Sequence, residues 1–170
     1  MHYSNLVIVE KQEGRDVKAA VDEAMKYGKG LWWDFYMIGG RWTGLFDGYD
    51  PESDQALLQT CWLCHGTGVR PDMQVKDGCN GCAGTGKERR WPTQWPFRES
   101  DVIPVEALTA EHLGRAYRVV CEGYYREFGG EEYLPWKESG QCFVRREKPP
   151  LEWLHKQFAG HLVAIVDNHN

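Results

Sequence analysis

The residue types best suited to chemistry in this 170-residue chain are four cysteines, written CWLC from Cys61 to Cys64 and CNGC from Cys79 to Cys82. Their spacing, C-x2-C, C-x14-C and C-x2-C, is that of two knuckles facing one tetrahedral ion, and soft thiolates so arranged suit zinc. Structural disulfides and a redox C-x-x-C are the competing readings of the same residues. Confinement of all four to one short window favours the metal. One Zn2+ per chain, held by Cys61, Cys64, Cys79 and Cys82, is therefore expected. A site closed by four sulfurs keeps no position for water or substrate, so the ion itself should do no chemistry. Cys121 and Cys142 stand alone in the sequence and read as small buried hydrophobes.

The pattern extends beyond the ligands. CWLCHGTG, Cys61 to Gly68, returns as CNGCAGTG, Cys79 to Gly86, with the cysteines, glycines and threonine in register. Gly66, Gly68, Gly84 and Gly86 suit tight turns that aim backbone N–H groups at sulfur. This CxxCxGxG repeat resembles the cysteine-rich region of DnaJ-type chaperones over about residues 61 to 86. That family carries four repeats and two zinc sites, so the resemblance implies one site from the two repeats here. The His-Pro-Asp tripeptide of a J-domain does not occur. Between the knuckles, VRPDMQVKDG (Val69 to Gly78) reads as an extended hairpin bent at Pro71-Asp72 and Asp77-Gly78. Val69, Met73 and Val75 are too few to make a core, so the metal must organise this finger.

A second polar set, Asp34, Arg41, Asp167 and His169, falls at the ends of expected strands. Asp167 and His169, two apart on a strand, project to one side, and Arg41 has the fork to hold a carboxylate or phosphate. A small enzyme with its site at these four residues is thus an alternative reading. No nucleophile or glycine-rich phosphate loop accompanies them, and no catalytic role is assigned; Arg41 stacked on Trp33 or Trp42 and paired with Asp34 is the simpler account. A third reading is a nucleic-acid adaptor using Lys87, Arg89 and Arg90 beside Trp91. Glu88 interrupts that run. The net charge is −5, and four thiolates (−4) around one Zn2+ (+2) take it to −7, which disfavours phosphate partners. Trp62, Trp91 and Trp95 lie in or beside the finger. Exposed indoles there would suit a protein-binding surface, although Trp91 and Trp95 are expected to pack the finger onto the rest of the chain.

The elements that must position these groups follow from periodicity. At 42% hydrophobic the chain can bury one sizeable core without metal or disulfides, so a body with an inserted finger is expected. LVIVE (Leu6 to Glu10) reads as a buried strand. A helix over 14–27 places Val17, Ala20, Val21, Ala24 and Met25 on one face and ends at Gly28 and Gly30. LWWDFYMIGGRWTGLF reads as strand, turn at Gly39-Gly40, strand. Thr109 caps a helix over 109–114, with strands after it and a possible corner at Glu122-Gly123. PPLEWLHKQFAG is a short helix from Pro150 to Gly160, and Leu162 to Val166 a last strand lying near the first.

This order is that of an α+β, ferredoxin-like (split βαβ) sheet. The body is read as 1–58 with 92–170 and the inserted DnaJ-like zinc finger as 59–91. WDFYMIGGRWTG and the terminal VDNH also resemble a group of proteins encoded by actinobacterial phages, along most of the chain. That resemblance implies the cytoplasm of an infected host. No apolar run approaches the ~20 residues of a membrane span, and MHYSNLVIVE lacks the pattern of a secretion signal. The expected protein is cytoplasmic, zinc-binding and non-enzymatic, and engages a host or phage protein.

Overall fold

A computed structural model describes residues 1–26, 33–72, 78–121, 143–145 and 149–169. The chain divides into two compact units, Met1–Tyr49 with Phe97–Asn170, and Asp50–Pro96. Among the described residues no helix is long and apolar enough to cross a membrane.

The first unit is mixed α and β, with a sheet at its centre. Strand β1 (His2–Val9) pairs antiparallel along its whole length with the last strand, β8 (Leu162–His169), in the register His2↔His169, Leu6↔Ile165 and Val9↔Leu162. On its other side β1 runs parallel to β6 (Arg118–Cys121), and β7 (Phe143–Arg145) lies antiparallel beyond that. Two short strands share the far edge of β8: β2 (Phe35–Ile38) pairs with its end and β5 (Val102–Pro104) with its beginning.

Alternation along the strands sorts the apolar residues into two cores, one on each face. Leu6, Ile8, Val119, Cys121, Val163 and Ile165 face one core. Helices α2 (Ala110–Arg115) and α3 (Leu151–Gln157) supply it with Leu113 and Leu154, joined by Phe158. Val7, Val9, Val120, Ala164 and Val166 face the other, covered by Ala20, Val21, Ala24 and Met25 of α1 (Val17–Met25) and by Trp33. These four are among the five that the 3.6-residue period selects, and the fifth, Val17, is partly buried against the same core. Cys121 is a fully buried member of the first core, as its isolation suggested.

Thr109 caps α2 as expected: its hydroxyl accepts from His112 N at 3.2 Å, and His112 Nδ1 accepts from Thr109 N at 3.3 Å. A helix this short depends on its cap. Thr109→Ala should lower the stability of this unit by about 1 kcal/mol, read from the urea midpoint at unchanged slope.

One expectation holds in part and another is corrected. β1, α1 and β2 form a split βαβ unit, since β1 and β2 both run antiparallel to β8 and are thus parallel to each other with β8 between them. The sheet as a whole departs from the ferredoxin-like order because β6 lies parallel and directly adjacent to β1 on its other side. The pairing of β1 with β6 is favoured because Asn5 to Ile8 lines up wholly buried residues against Arg118 to Cys121. Strand–turn–strand fails at its second strand. After β2 the chain enters a 3-10 turn at Gly40–Trp42 and continues in turns to Asp47.

Two buried carboxylates hold that path. Asp167 Oδ2 accepts from Arg41 N at 3.0 Å; Asp101 accepts from Thr43 Oγ1 at 2.7 Å and Gly44 N at 3.0 Å. A backbone N–H given to an internal carboxylate is lost to a strand ladder. Helix α1 begins at Val17, later than the expected 14. The helix stop at Gly28 and Gly30, the hairpin bend from Met73 to Asp77, the corner at Glu122-Gly123 and Cys142 lie outside the described residues.

Candidate metal centre and a second polar cluster

The second unit is built around its four sulfurs. Their Sγ atoms all lie within 4.8 Å of one another, and all four cysteines are buried. Cys61 and Cys79 are 3.8 Å apart at sulfur, Cys64 and Cys82 3.7 Å. Zn–S bonds of ~2.3 Å arranged tetrahedrally set an S···S edge of ~3.8 Å. Disulfides would require ~2.05 Å. The four thiols are free and spaced for one ion, so the disulfide reading falls away. Burial pushes the Cys61 thiol up to about 12. Burial opposes the Cys64 thiolate as well, but donation from Gly68 N–H and the neighbouring Cys82 bring it down to about 7.

The repeated octapeptide folds as a two-fold repeat. In the first knuckle Thr67 N and Thr67 Oγ1 donate to the Cys64 carbonyl at 3.0 and 2.7 Å, and Gly68 N donates to Cys64 Sγ at 3.3 Å. In the second, Thr85 N and Oγ1 donate to Cys82 O at 3.0 and 2.7 Å, and Gly86 N to Cys82 Sγ at 3.2 Å. The knuckles also close on each other, Cys79 N donating to Gly68 O at 2.7 Å and Cys61 N to Gly86 O at 3.0 Å.

That reciprocity accounts for the final glycine of each repeat. A Cβ on Gly68 would lie 2.3 Å from Gly84 O, and one on Gly86 would lie 2.3 Å from Gly66 O. Only glycine permits the backbones to approach so closely around the sulfurs. The two repeats differ at Trp62/Asn80, Leu63/Gly81 and His65/Ala83, and the middle difference shapes the packing. Leu63 packs against the cysteines, over the space that a side chain on Gly81 would take.

The knuckles stand on a two-stranded stem of β3 (Leu58–Thr60) and β4 (Lys87–Arg89). Arg89 is spent inside it. Its Nη1 donates to Pro51 O and Asp54 O at 2.7 and 2.9 Å, and its Nε pairs with Glu52 at 3.1 Å. The basic residue offered to phosphate in the nucleic-acid reading thus clamps an acidic turn. Trp62 and Trp91 are 67% and 66% exposed, while Trp95 is half-buried and donates from Nε1 to Arg90 O at 2.9 Å.

In the first unit the second polar set is only partly assembled. His169 Nδ1 lies 2.9 Å from Asp34 Oδ1, and this contact holds the exposed Asp34 carboxyl below its usual range. Asp167, 1% exposed, is bound instead to His2 Nδ1 at 2.9 Å and to the Arg41 backbone. The Arg41 guanidinium is exposed and forms no ion pair with Asp34.

His2 is the member that the sequence concealed. It lies before the apolar run that marked β1, and it meets His169 only through the β1–β8 register, ring centroids 5.0 Å apart. Since the Asp167 Oδ1 carboxylate oxygen can only accept, the hydrogen shared with it sits on His2 Nδ1. Among the described residues the four cysteines are the group able to hold a metal ion; the histidines and aspartates are not drawn together as such a set. The chain matches no family model, no curated protein and no solved structure with which it was compared.

Proposed function

We propose that the chain is a non-enzymatic, zinc-binding protein whose knuckles present a protein-binding surface around Trp62. The carrying observation is that four buried sulfurs stand at the separation of a closed tetrahedral site, with an indole 67% exposed inside the first knuckle. One zinc per chain fits that donor set, and a closed site gives the ion a shaping role. An exposed tryptophan on a rigid knuckle is the kind of anchor that dominates protein interfaces. The resemblance to phage-encoded proteins makes a host or phage protein in the cytoplasm the intended partner.

The test is capture from host lysate by the zinc-loaded chain and by Trp62→Ala. Because Trp62 is exposed, the variant should keep its zinc and its thermal midpoint. A protein retained by the parent and lost, by about ten-fold or more, from the variant is the expected result. Equal retention by both, or retention of nothing by the parent, would overturn the reading.

A further inference from the structure

A cleft of about 270 Å3 opens in the first unit beside the His2 and Asp167 pair, between the start of β1 and the link from α2 to β6. Three of its walls are aromatic, from Tyr3, Trp42 and Tyr117, and His2, Ser4 and Arg115 complete the lining. Each wall is fixed by bonds already in place. The Arg115 carbonyl accepts from Ser4 Oγ at 3.1 Å, and Tyr117 N donates to Ser4 O at 2.7 Å, which ties the link to β1. Tyr117 stacks on Tyr3 with ring centroids 4.5 Å apart. The Trp42 turn is anchored by Asp167 through Arg41 N, and Asp167 also orients the His2 ring.

The polar groups left over are donors and one imidazole edge. Asp167, the buried carboxylate next to the cleft, already has two partners. The exposed Arg115 side chain has no ion pair or hydrogen bond among the described residues. Trp42 Nε1 is buried and has no acceptor among the described residues. His2 lines the cleft with its Nδ1 engaged by Asp167. A preformed cleft of aromatic walls with a cation at its rim that is unpaired among the described residues is complementary to a flat apolar body carrying negative charge.

We propose that this cleft binds a small aromatic oxyanion, its anionic group paired with Arg115 and its ring held between the walls of Tyr3, Trp42 and Tyr117. Every residue lining the cleft belongs to the first unit.

The test titrates the full, zinc-loaded chain with benzoate, with phenyl phosphate and with benzamide, a neutral mimic of benzoate. Calorimetry gives the affinity, and the ring resonances of His2 and Trp42 give the place. At least one anion should saturate and bind about ten-fold or more tightly than benzamide, shifting both rings. The tighter anion identifies the oxyanion as carboxylate or phosphate. Arg115→Gln should erase the preference for the anion while zinc content and thermal midpoint stay unchanged. The proposal is overturned if neither anion saturates, if benzamide binds as well as the anions, if the shifts fall away from His2 and Trp42, or if Arg115→Gln binds like the parent.

Discussion

Cys64→Ser should release the metal and unfold residues 50–96, while the sheet of the first unit remains. The expectation rests on what each unit has to bury. The first holds two extensive apolar cores, one on each face of its sheet. In the second, the core cluster consists of the four cysteines with Leu63 packed against them. Without an ion that cluster is four small thiols, far too little apolar area to offset the entropy of ordering a chain of this length. Apparent zinc-binding energies of about 10–16 kcal/mol in tetrathiolate and related fingers are folding energies for this reason.

Serine keeps the shape but is a poor zinc ligand, and it also removes the acceptor of Gly68 N–H. Metal content should fall from one zinc per chain to near none. Amide exchange should accelerate by orders of magnitude between Asp50 and Pro96, and the unfolding transition of the first unit should persist. Full zinc retained in the variant would refute the ligand assignment. A single transition lost from the entire chain would show instead that the sheet needs the finger.

The metal centre was legible in the sequence because its determinants are local. Two octapeptides that share their cysteines, threonine and last two glycines encode two similar turns, and 3.7 to 3.8 Å sulfur spacing follows when those turns face each other. The reciprocal contacts of Gly68 with Gly84 and Gly86 with Gly66 give a physical meaning to residues that the pattern alone could only mark. Helix α1 and the cap at Thr109 were legible for the same reason, being written in neighbouring residues.

The sheet was only half legible. Apolar runs revealed β1 and β8, and their adjacency was expected, but a parallel neighbour such as β6 leaves no local signature. Asn5, Ser4, Asp101 and Asp167 are polar yet 2% exposed or less, so hydrophobicity placed none of them inside. Their burial depends on partners far along the chain: Asn168 for Asn5, Arg115 for Ser4, Thr43 for Asp101, His2 for Asp167. The turn after Gly40 was misread as a strand for this reason. Its shape is imposed by carboxylates from residues 101 and 167, which no window around residue 40 contains.

That turn also carries the second large effect expected, from a single added methyl group. Gly44→Ala should destabilise the first unit by about 3–5 kcal/mol, a large part of the stability of an ordinary domain. Gly44 has φ +83°, and a Cβ there would sit 1.9 Å from Tyr49 O and 2.8 Å from Tyr49 C. Backbone on both sides must therefore shift. Neither side is free to do so: Gly44 N is bound to Asp101 Oδ1 at 3.0 Å and Gly44 O accepts from Gly48 N at 2.8 Å. On the opposite side Tyr49 N donates to Asp47 Oδ1 at 3.1 Å, and Arg98 lies 3.7 Å over the Tyr49 ring while pairing with Asp47 at 2.6 Å.

Relief of the clash would break the bond to Asp101, a carboxylate 1% exposed whose protonated form burial already favours. The matched control is Gly48→Ala. Gly48 has nearly the same φ, +73°, but nothing within 4 Å of an added Cβ, so it should lose only the conformational ~1–2 kcal/mol. Urea midpoints of the two variants separate the clash from the dihedral, and equal losses would show that Tyr49 yields freely. Because the same turn carries Trp42, a wall of the cleft, Gly44→Ala protein that remains folded should also bind the aromatic oxyanion less tightly than Gly48→Ala protein does.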